Sequence, residues 1–315
     1  MTMCGVGARM HAVRFDRYGD SDVLAVVEVD KPEPGPGQVV VAVRAAGINP
    51  GETKIRTGEL HERWPASFPE GEGSDFAGVI DSVGPGVMSF ATGDEVLGYT
   101  NNRASHAEFV LVATEEIVAK PASLGWTEAG AMFVVGTSAY ALVHAVEVTA
   151  QDVVLVSAAA GGVGSLVVQW ARNLNATVVG LASPANHDWL RSYGVLPVDY
   201  TGDRLAERVR QVIDGRQVTA VLDTHGSQYV QLGIDLGVNP QRIATIADFT
   251  AAERGAKLVR HFTVASPQVL TEIAEALASG QLEMPIAATY PLANVRDAYR
   301  ELEQGHTRGK IVLLP

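Results

Sequence analysis

The chain has a single cysteine, Cys4, among 315 residues. One cysteine cannot form an internal disulfide, and the chain lacks the cysteine framework that small secreted domains use. We interpret Cys4 as an inert thiol and expect a cytoplasmic protein. Residues Met1 to Arg9 lack the apolar core of a signal peptide, and Met10, where a cleaner strand pattern begins, is a candidate native start.

Two further deficits exclude whole classes of partner. No apolar run reaches the roughly 18 residues of a membrane span, so we expect no membrane partner. Basic residues are scarce, because 24 Lys and Arg stand against 36 Asp and Glu, a formal net charge of −12. Since nucleic-acid binding needs a basic face, we also expect no nucleic-acid partner.

The first third of the chain is typical of β structure. Short runs alternate apolar residues with small or charged ones, and glycine, proline and aspartate separate the runs. This spacing predicts a compact barrel or sandwich. The runs are His11–Phe15, Val26–Val29, Gln38–Ala45, Phe76–Val83, Glu95–Tyr99 and His106–Ala113.

Strands and helices alternate from Asp152 onward. Val153–Ala158 is a fully apolar strand, and the next helix carries one apolar face formed by Val167, Trp170, Ala171 and Leu174. Alternation of this kind predicts a parallel, doubly wound sheet. The remaining predicted elements are Thr127–His144, Ala176–Leu181, Asp188–Tyr193, Arg204–Ile213, Val218–Leu222, Arg242–Ala247, Val269–Ala278, Ala293–Glu303 and Lys310–Leu314.

The most specific motif is the run from Ala158 to Gly164, which reads AAAGGVG. It follows the buried strand and opens a helix, as a dinucleotide fingerprint requires, with Ala159 at the first glycine position. Small residues let the backbone approach a pyrophosphate, and the helix N-terminus offers it free N–H groups. We predict cofactor binding here, and a turn selected for packing is the alternative. The predicted contacts are Ala160, Gly161, Gly162, Val163 and Gly164.

An acidic residue is missing where NAD sites place one. Such sites carry Asp or Glu about 20 residues after the glycines, where it binds the ribose 2′-OH. Here the second strand ends near Ser183, followed by Asn186 and His187, with Arg191 one turn later. A 2′-phosphate would meet no repulsion, which favours NADPH over NADH. Ordinary helix-start residues are the alternative.

Several segments in a fixed order resemble one protein family. They are Ala45–Pro50, Asp75–Ile80, Gly93–Val96, Ala107–Val110, Gly136–Ala139, the glycine-rich turn and Gly309–Leu313. From about Met10 to Pro315 the chain is similar to the zinc-independent quinone oxidoreductase (zeta-crystallin-like) branch of the medium-chain dehydrogenase/reductase superfamily. The resemblance implies hydride transfer from NADPH, usually by a homodimer.

The resemblance also implies the fold and the domain organisation. We expect an α/β protein with a GroES-like β-barrel catalytic domain, residues 10–122 and 280–315, and a Rossmann NADP-binding domain, residues 123–279. A cleft between the two domains would hold nicotinamide and a small-molecule electron acceptor.

Roles for individual residues follow from the matching positions. Asn49 resembles a cleft asparagine near the nicotinamide, and Thr137 resembles a threonine that contacts the cofactor. Tyr200 resembles a tyrosine near the 2′-phosphate. Ser183 and His187 fall where the family often has serine or glycine and lysine, so the fixed positive charge is weaker here.

Other candidates follow from position and chemistry, each with a structural alternative. Tyr99 could donate a proton or be a half-buried strand tyrosine, and Asn49 could stabilise an oxyanion or only form a turn. His225 follows a parallel strand and could contact the nicotinamide ribose or have no role. Lys310 could reach the cofactor or be a surface charge. We interpret Glu52, Lys54 and Arg56 first as a solvated face, and substrate contact is the alternative.

The zinc ligands of the related alcohol dehydrogenases are missing. Ile48–Gly51 has no cysteine, Gly73–Asp75 has no histidine, and the four-cysteine lobe is absent. Zinc needs three or four such ligands, so we predict no metal. Without a Lewis acid the acceptor must already be electrophilic, as quinones and enones are. An enoyl or alkene reductase on the same scaffold and a non-catalytic NADPH-binding regulator are the alternatives.

Overall fold

The computed structural model describes residues 8–315, so Cys4 lies outside the described residues. The chain forms two compact units. The first unit comprises residues up to Val134 together with Ser266–Ser279 and Ile286–Pro315, and the second comprises Val135–Ala265 and Gly280–Pro285. Residues 123–134 and 266–279 thus group with the first unit, whereas the sequence analysis assigned them to the second. The exact domain bounds stay a prediction.

The elements are numbered here in chain order. The strands are β1 Arg9–Phe15, β2 Ala25–Asp30, β3 Gln38–Gly47, β4 Glu70–Gly71, β5 Asp75–Val83, β6 Glu95–Tyr99, β7 Phe109–Ala113, β8 Ile117–Ala119, β9 Val153–Val156, β10 Thr177–Ala182, β11 Leu196–Asp199, β12 Ala220–Asp223, β13 Ile243–Thr245, β14 Lys257–Leu258, β15 Ile286–Pro291 and β16 Lys310–Leu314. The helices are α1 Pro50–Arg56, α2 Trp126–Ala129, α3 Met132–Ala145, α4 Gly162–Asn173, α5 His187–Ser192, α6 Leu205–Val212, α7 Ser227–Asp235, α8 Pro267–Ala278 and α9 Val295–Glu303.

The first unit is built around strand β3. One edge of β3 pairs with β5, and the other edge is shared by β7 and β16. The resulting sheet has the order β15-β16-β3-β5-β6-β8, and a small sheet β2-β1-β4 accompanies it. Valines of β3, including Val39 and Val41, are fully buried together with Phe76 of β5. Alternation of apolar and small residues therefore produced the barrel-type core that the sequence predicted.

The second unit is a parallel sheet with the order β11-β10-β9-β12-β13-β14. The central strand β9 is buried along its whole length. The order of the strands along the sheet reverses between β9 and β12, and ligands of such sheets bind beyond the carboxyl ends at that point. The predicted doubly wound parallel sheet is confirmed, and the glycine-rich turn follows its central strand.

Some of the elements predicted from local sequence patterns have other bounds in the structure, and one strand was missed. The predicted helix Thr127–His144 is interrupted at Gly130, where an added Cβ would lie 2.4 Å from the carbonyl oxygen of Ala45, so the chain must bend around a neighbouring strand. Leu174 is 39% exposed because α4 ends at Asn173, so its place on the buried face was wrong. Strand β11 was missed because it contains Pro197, which an edge strand tolerates.

No helix in residues 8–315 is long and apolar enough to cross a bilayer.

Asp152 joins the start of β9 to two neighbouring segments. Its carboxylate accepts hydrogen bonds from Thr219 Oγ1 at 2.7 Å, from the Thr149 N–H at 2.8 Å and from Arg242 Nη2 at 2.6 Å. Burial alone would raise the pKa of Asp152, but these hydrogen bonds outweigh burial and lower it. The ionised carboxylate therefore stabilises the second unit.

We predict that Asp152→Asn lowers the free energy of unfolding at neutral pH by about 1–3 kcal/mol, because three part-buried donors lose a charged acceptor. Since the folded-state pKa is lowered, the contribution of Asp152 is present above the unfolded-state pKa and is lost as pH falls through the folded-state value. Unfolding by denaturant at pH 7 and pH 3 measures the free energy of unfolding of the wild type and of Asp152→Asn. Asp188→Asn, at a side chain that is 98% exposed, is the matched control. An equal difference between wild type and Asp152→Asn at both pH values would contradict the prediction.

Candidate functional site

The glycine-rich turn connects β9 to α4. Gly161 precedes the helix in an extended conformation, no side chain of the described residues caps α4, and its first turn has no acidic residue. The N–H groups of Gly162, Val163 and Gly164 lie in the first helical turn, where no intrahelical acceptor is available. The start of α4 is therefore suited to bind an anion such as a pyrophosphate.

Packing requires glycine at one position of this turn. A Cβ on Gly164 would lie 2.2 Å from the carbonyl oxygen of Ala158, so no larger residue fits there. A Cβ on Gly161 would lie 3.3 Å from the same oxygen, so the fold alone does not require glycine at that position. The packing alternative therefore explains Gly164 and leaves Gly161 available for close approach of a ligand.

Asp223 organises the carboxyl edge of the same sheet. Its buried carboxylate accepts hydrogen bonds from Ser157 Oγ and Thr245 Oγ1, both at 2.6 Å, and from the backbone N–H groups of His225 and Gly226. It thereby ties the ends of three strands together at the switch point. The sequence analysis singled out His225 and missed Asp223; an acid that ends an apolar strand was the available signal.

The end of β10 carries small and polar side chains. Asn186 Nδ2 donates to Ser183 Oγ at 3.1 Å, and His187 Nε2 lies 3.2 Å from the carbonyl oxygen of Ala182. Arg191 is paired with Asp188 at 2.7 Å, so its charge is partly used within the helix. No acid of the described residues takes the position that an NAD site reserves for the ribose hydroxyls, since Asp188 lies within α5, as predicted.

Three further predicted cofactor residues lie in the second unit. Thr137 is fully buried within α3. Tyr200 is 39% exposed and lines a surface cavity of about 340 Å³ together with Tyr229. His225 is exposed, and its ring packs edge-on against Tyr229 with 5.6 Å between the ring centroids. These positions are compatible with the predicted roles, which stay predictions.

Asn49 lies in the first unit, directly before α1, and its side chain is held at both ends. Lys310 Nζ donates to Asn49 Oδ1 at 2.6 Å, and Asn49 Nδ2 donates to Glu52 Oε1 at 3.2 Å. The backbone N–H of Asn49 donates to the other oxygen of Glu52 at 2.8 Å. Asn49 is only 4% exposed, so its carboxamide is an ordered, largely desolvated donor.

The predicted solvated face on α1 is wrong. Glu52 and Arg56 are buried, and Arg56 is fully inaccessible to solvent. Arg56 pairs with Glu72 at 2.9 Å and with Glu303 at 2.6 Å, and its guanidinium lies 4.5 Å from the ring centroid of Tyr299. The sequence showed the charges but not their partners, which come from distant segments.

Lys310 is not a surface charge either, so that alternative is wrong. It is 3% exposed, donates to the carbonyl oxygen of Ile48 at 2.7 Å as well as to Asn49, and lies 3.7 Å from Asp75 Oδ2. Its predicted contact with a cofactor stays a prediction, but most of its hydrogen-bonding capacity is used within the first unit.

These side chains form a cluster that we call the Asn49 cluster, comprising Asn49, Glu52, Arg56, Glu72, Asp75, His106, Tyr299 and Lys310. Burial raises the pKa of Glu72 to about 8 and that of Asp75 to about 7, against the attraction of Arg56 and Lys310 respectively. Burial also lowers the pKa of Lys310. Because the cluster contains three carboxyls and two permanent or near-permanent cations, protonation of one carboxyl makes it neutral.

His106 and Tyr99 show how the remaining polar groups are placed. Burial lowers the pKa of His106, and its Nε2 lies 3.2 Å from the carbonyl oxygen of Gly47, which can only accept, so Nε2 carries the proton. Tyr99 stacks on Phe133 with 4.0 Å between the ring centroids, and burial raises its pKa. Tyr99 is therefore a protonated phenol at neutral pH.

The residues at the expected zinc positions do not fit zinc. Asn49 and Asp75 face the ammonium group of Lys310, and Glu72 faces the guanidinium of Arg56. Cations of the protein itself thus occupy the donors that a metal would need. Residues 8–315 contain no group of three or more His, Cys, Asp or Glu side chains arranged to hold a metal ion.

Two domain families match the chain. The alcohol dehydrogenase GroES-like domain matches residues 35–157, and the zinc-binding dehydrogenase family matches residues 195–313. Quinone oxidoreductase of Pseudomonas aeruginosa is 29% identical over 96% of this chain and 99% of that protein. These matches agree with the quinone oxidoreductase branch of the medium-chain dehydrogenase/reductase superfamily. The chain is an oxidoreductase, and the predicted combination of a GroES-like and a Rossmann domain is confirmed.

Two further proteins are similar to this chain over nearly its whole length. A 2-haloacrylate reductase from a Burkholderia species is 29% identical over 96% of this chain and 98% of that protein. Among solved structures, Escherichia coli quinone oxidoreductase complexed with NADPH is similar with a TM-score of 0.87 at 25% identity, covering 98% of this chain and 100% of that chain.

We predict that Gly164→Ala lowers the free energy of unfolding by about 1–3 kcal/mol, because the new methyl group overlaps the Ala158 carbonyl. Gly161→Ala is the matched control and should change stability much less, since its Cβ has more room. Chemical denaturation of both variants measures the difference. Equal stability losses would show that the turn does not depend on packing at Gly164.

We also predict that Glu72→Gln flattens the dependence of stability on pH. Because the folded-state pKa of Glu72 is raised to about 8, its neutral form stabilises the fold below the unfolded-state value, and this stability is lost as pH rises through about 8. Between the unfolded-state and the folded-state pKa, one proton changes the free energy of unfolding by about 1.4 kcal/mol per pH unit. The free energy of unfolding between pH 6 and pH 9 should therefore fall less in Glu72→Gln than in wild type, and parallel curves would exclude titration of Glu72.

Proposed function

We propose that the chain is an NADPH-dependent oxidoreductase that transfers a hydride to a quinone or another conjugated carbonyl compound without zinc. The observation that carries the proposal is the uncapped start of α4 behind the buried strand β9, in a sheet with the strand order of dinucleotide-binding domains. The quinone oxidoreductases to which the chain is similar support the same reaction class.

NADPH is the cofactor of this proposal. The N–H groups of Gly162, Val163 and Gly164 would hold the pyrophosphate, with Ala160 and Gly161 allowing its approach. Ser183, His187 and Tyr200 would surround the 2′-phosphate. Asp199, which pairs with Ala182 and is attracted by His187, lies beside them, so the positive charge available to the phosphate is small. The similar Escherichia coli enzyme was solved with NADPH. Thr137 and His225 are proposed contacts nearer the nicotinamide, and a homodimer is part of the proposal.

The chemistry of the acceptor follows from the donors that the chain offers. Bound NADPH supplies the hydride from C4 of its nicotinamide. The Nδ2–H of Asn49 that Glu52 does not use can donate to an oxygen on which negative charge develops. The low exposure of Asn49 makes that hydrogen bond stronger than in water. Tyr99, a protonated phenol, is the proposed proton donor after hydride transfer. One neutral donor cannot activate an ordinary ketone as a metal does, which favours conjugated acceptors.

Alkene reduction on the same scaffold is a second candidate function. The similarity to a 2-haloacrylate reductase, over almost the whole length of both chains, favours it. The same cofactor residues and the same Asn49 hydrogen bond would serve, because hydride addition to a conjugated alkene also places negative charge on the carbonyl oxygen. Only the preferred acceptor distinguishes the two functions.

Parallel titrations with NADPH and NADH test the cofactor, and oxidation of NADPH with 1,4-benzoquinone, 9,10-phenanthrenequinone and 2-haloacrylate tests the acceptor. We expect NADPH to bind at least about ten-fold more tightly than NADH, which corresponds to 1.4 kcal/mol, and quinones to be reduced. Reduction of 2-haloacrylate alone would assign the second function. Binding of neither nucleotide would refute the proposal.

Metal analysis tests the zinc-free part separately. We expect less than about 0.1 zinc per chain after dialysis, and unchanged quinone reduction after treatment with a chelator, because tetrahedral zinc requires a ligand set that is missing here. Stoichiometric zinc that is needed for turnover would contradict this expectation.

A further inference from the structure

We propose that Lys310 is a positioning residue for Asn49: its buried ammonium group fixes the Asn49 carboxamide so that one N–H stays available to the acceptor. The inference rests on the proposed function, in which Asn49 donates to the oxygen that becomes negative.

The contacts determine which way the carboxamide points. An ammonium group can only donate, so the atom of Asn49 that lies 2.6 Å from Lys310 Nζ is the oxygen. Both oxygens of Glu52 accept from backbone N–H groups, Oε2 from Asn49 at 2.8 Å and Oε1 from Ser74 at 3.1 Å, so the carboxamide atom that lies 3.2 Å from Oε1 is the nitrogen. Two independent partners thus select the same orientation.

Counting the hydrogen bonds of the Asn49 carboxamide leaves one of its N–H groups for the acceptor. The Asn49 nitrogen has two N–H groups, and one of them is used by Glu52. The other makes no hydrogen bond within 3.5 Å among the described residues, although Asn49 lies close enough to Asp75 to lower the pKa of that carboxyl. In the opposite orientation the carboxamide oxygen would face the acceptor and repel the charge that develops there. Lys310 disfavours that orientation, because it would bring the amide N–H groups against an ammonium that has no acceptor atom.

The backbone holds Lys310 in place. Lys310 begins β16, whose residue Val312 pairs with Gly47 of β3, and the N–H of Ile48 donates to the carbonyl oxygen of Ile311 at 3.1 Å. Lys310 Nζ in turn donates to the carbonyl oxygen of Ile48 at 2.7 Å. The ammonium group and Asn49 are therefore fixed to the same pair of strands, each two residues from the paired positions Val312 and Gly47.

Asp75 balances the charge of this arrangement. Its Oδ2 lies 3.7 Å from Lys310 Nζ and accepts no hydrogen bond from the described residues, while its Oδ1 accepts one from the Val134 N–H at 3.2 Å. A cofactor phosphate would have to compete with Asp75 for the third N–H of Lys310. This is why the geometry favours a positioning role over the predicted contact with the cofactor.

A double-mutant cycle tests the coupling between the two residues. The variants are Asn49→Ala, Lys310→Met and the combination, with Lys54→Met as the control lysine, which lies on the same helix as Glu52 but outside the cluster. We expect Asn49→Ala to lower kcat with the best acceptor about 10²-fold, as loss of one oxyanion donor does. Lys310→Met should lower kcat by at least about ten-fold, yet by less than about three-fold in the Asn49→Ala background, because residues that act as a unit are not additive.

Measurements of cofactor affinity and of folding distinguish a positioning role of Lys310 from a cofactor-binding role and from a purely structural role. The Kd for NADPH should change less than about three-fold in Lys310→Met, since the residue acts on the acceptor side. Because Lys310→Met leaves Asp75 without its cation, Lys310→Met/Asp75→Asn removes both charges and keeps the fold testable. Additive losses in kcat, or a Kd for NADPH that weakens ten-fold or more, would overturn the proposal.

A spectroscopic signature decides the question without turnover. In protein labelled with ¹⁵N-asparagine, the Nδ2 resonances of Asn49 are assigned by their absence in Asn49→Ala. We expect them to shift in Lys310→Met/Asp75→Asn and to stay unchanged in Lys54→Met. Unchanged Asn49 resonances in the double variant would overturn the proposal. If the wild type reduces no acceptor, the proposed function fails, and the resonances still show whether Lys310 orients Asn49.

Discussion

A buried cation must have an anion beside it, and the first unit is arranged around two such cations. Arg56 and Lys310 are removed from water and lie against three carboxyl groups, those of Glu52, Glu72 and Asp75, one of which must be protonated for the cluster to be neutral. Removing one partner of a buried pair is costly, so the elements that carry these side chains are fixed relative to each other. The orientation of the Asn49 carboxamide is a by-product of that charge balance.

The sequence predicted those parts of the fold that depend on local patterns. Strands β6 and β16 have the predicted bounds, because a short apolar run bounded by turn residues is enough to define a largely buried strand. The turn before α4 was also predicted from a local pattern, since small residues between an apolar strand and a helix are typical of dinucleotide-binding turns. Strand β11, in contrast, contains a proline that local rules exclude from strands, and only its position at the sheet edge explains it.

The Asn49 cluster could be predicted only in part. Asn49 was identified by resemblance, but Glu52 and Arg56 were interpreted as solvated, because a charged residue is exposed unless a partner compensates it. The partners of Arg56 are 16 and 247 positions away in the sequence, so no local pattern reveals them. Asp223 was missed although an acid at the end of an apolar strand was a local signal. Its role becomes evident only from its hydrogen bonds, which join strands that are adjacent only in the folded sheet.

The position of β16 has a consequence for the order in which the protein can form during synthesis. The ribosome completes β1 to β8 first, then the whole second unit, and only afterwards the strand that pairs with both β15 and β3. Until Lys310–Leu314 emerges, part of the edge of β3 has no partner, and open edges of this kind invite pairing with other chains. All strands of the second unit are thus synthesised before the largest sheet of the first unit is complete, and the open part of the β3 edge stays exposed during that interval.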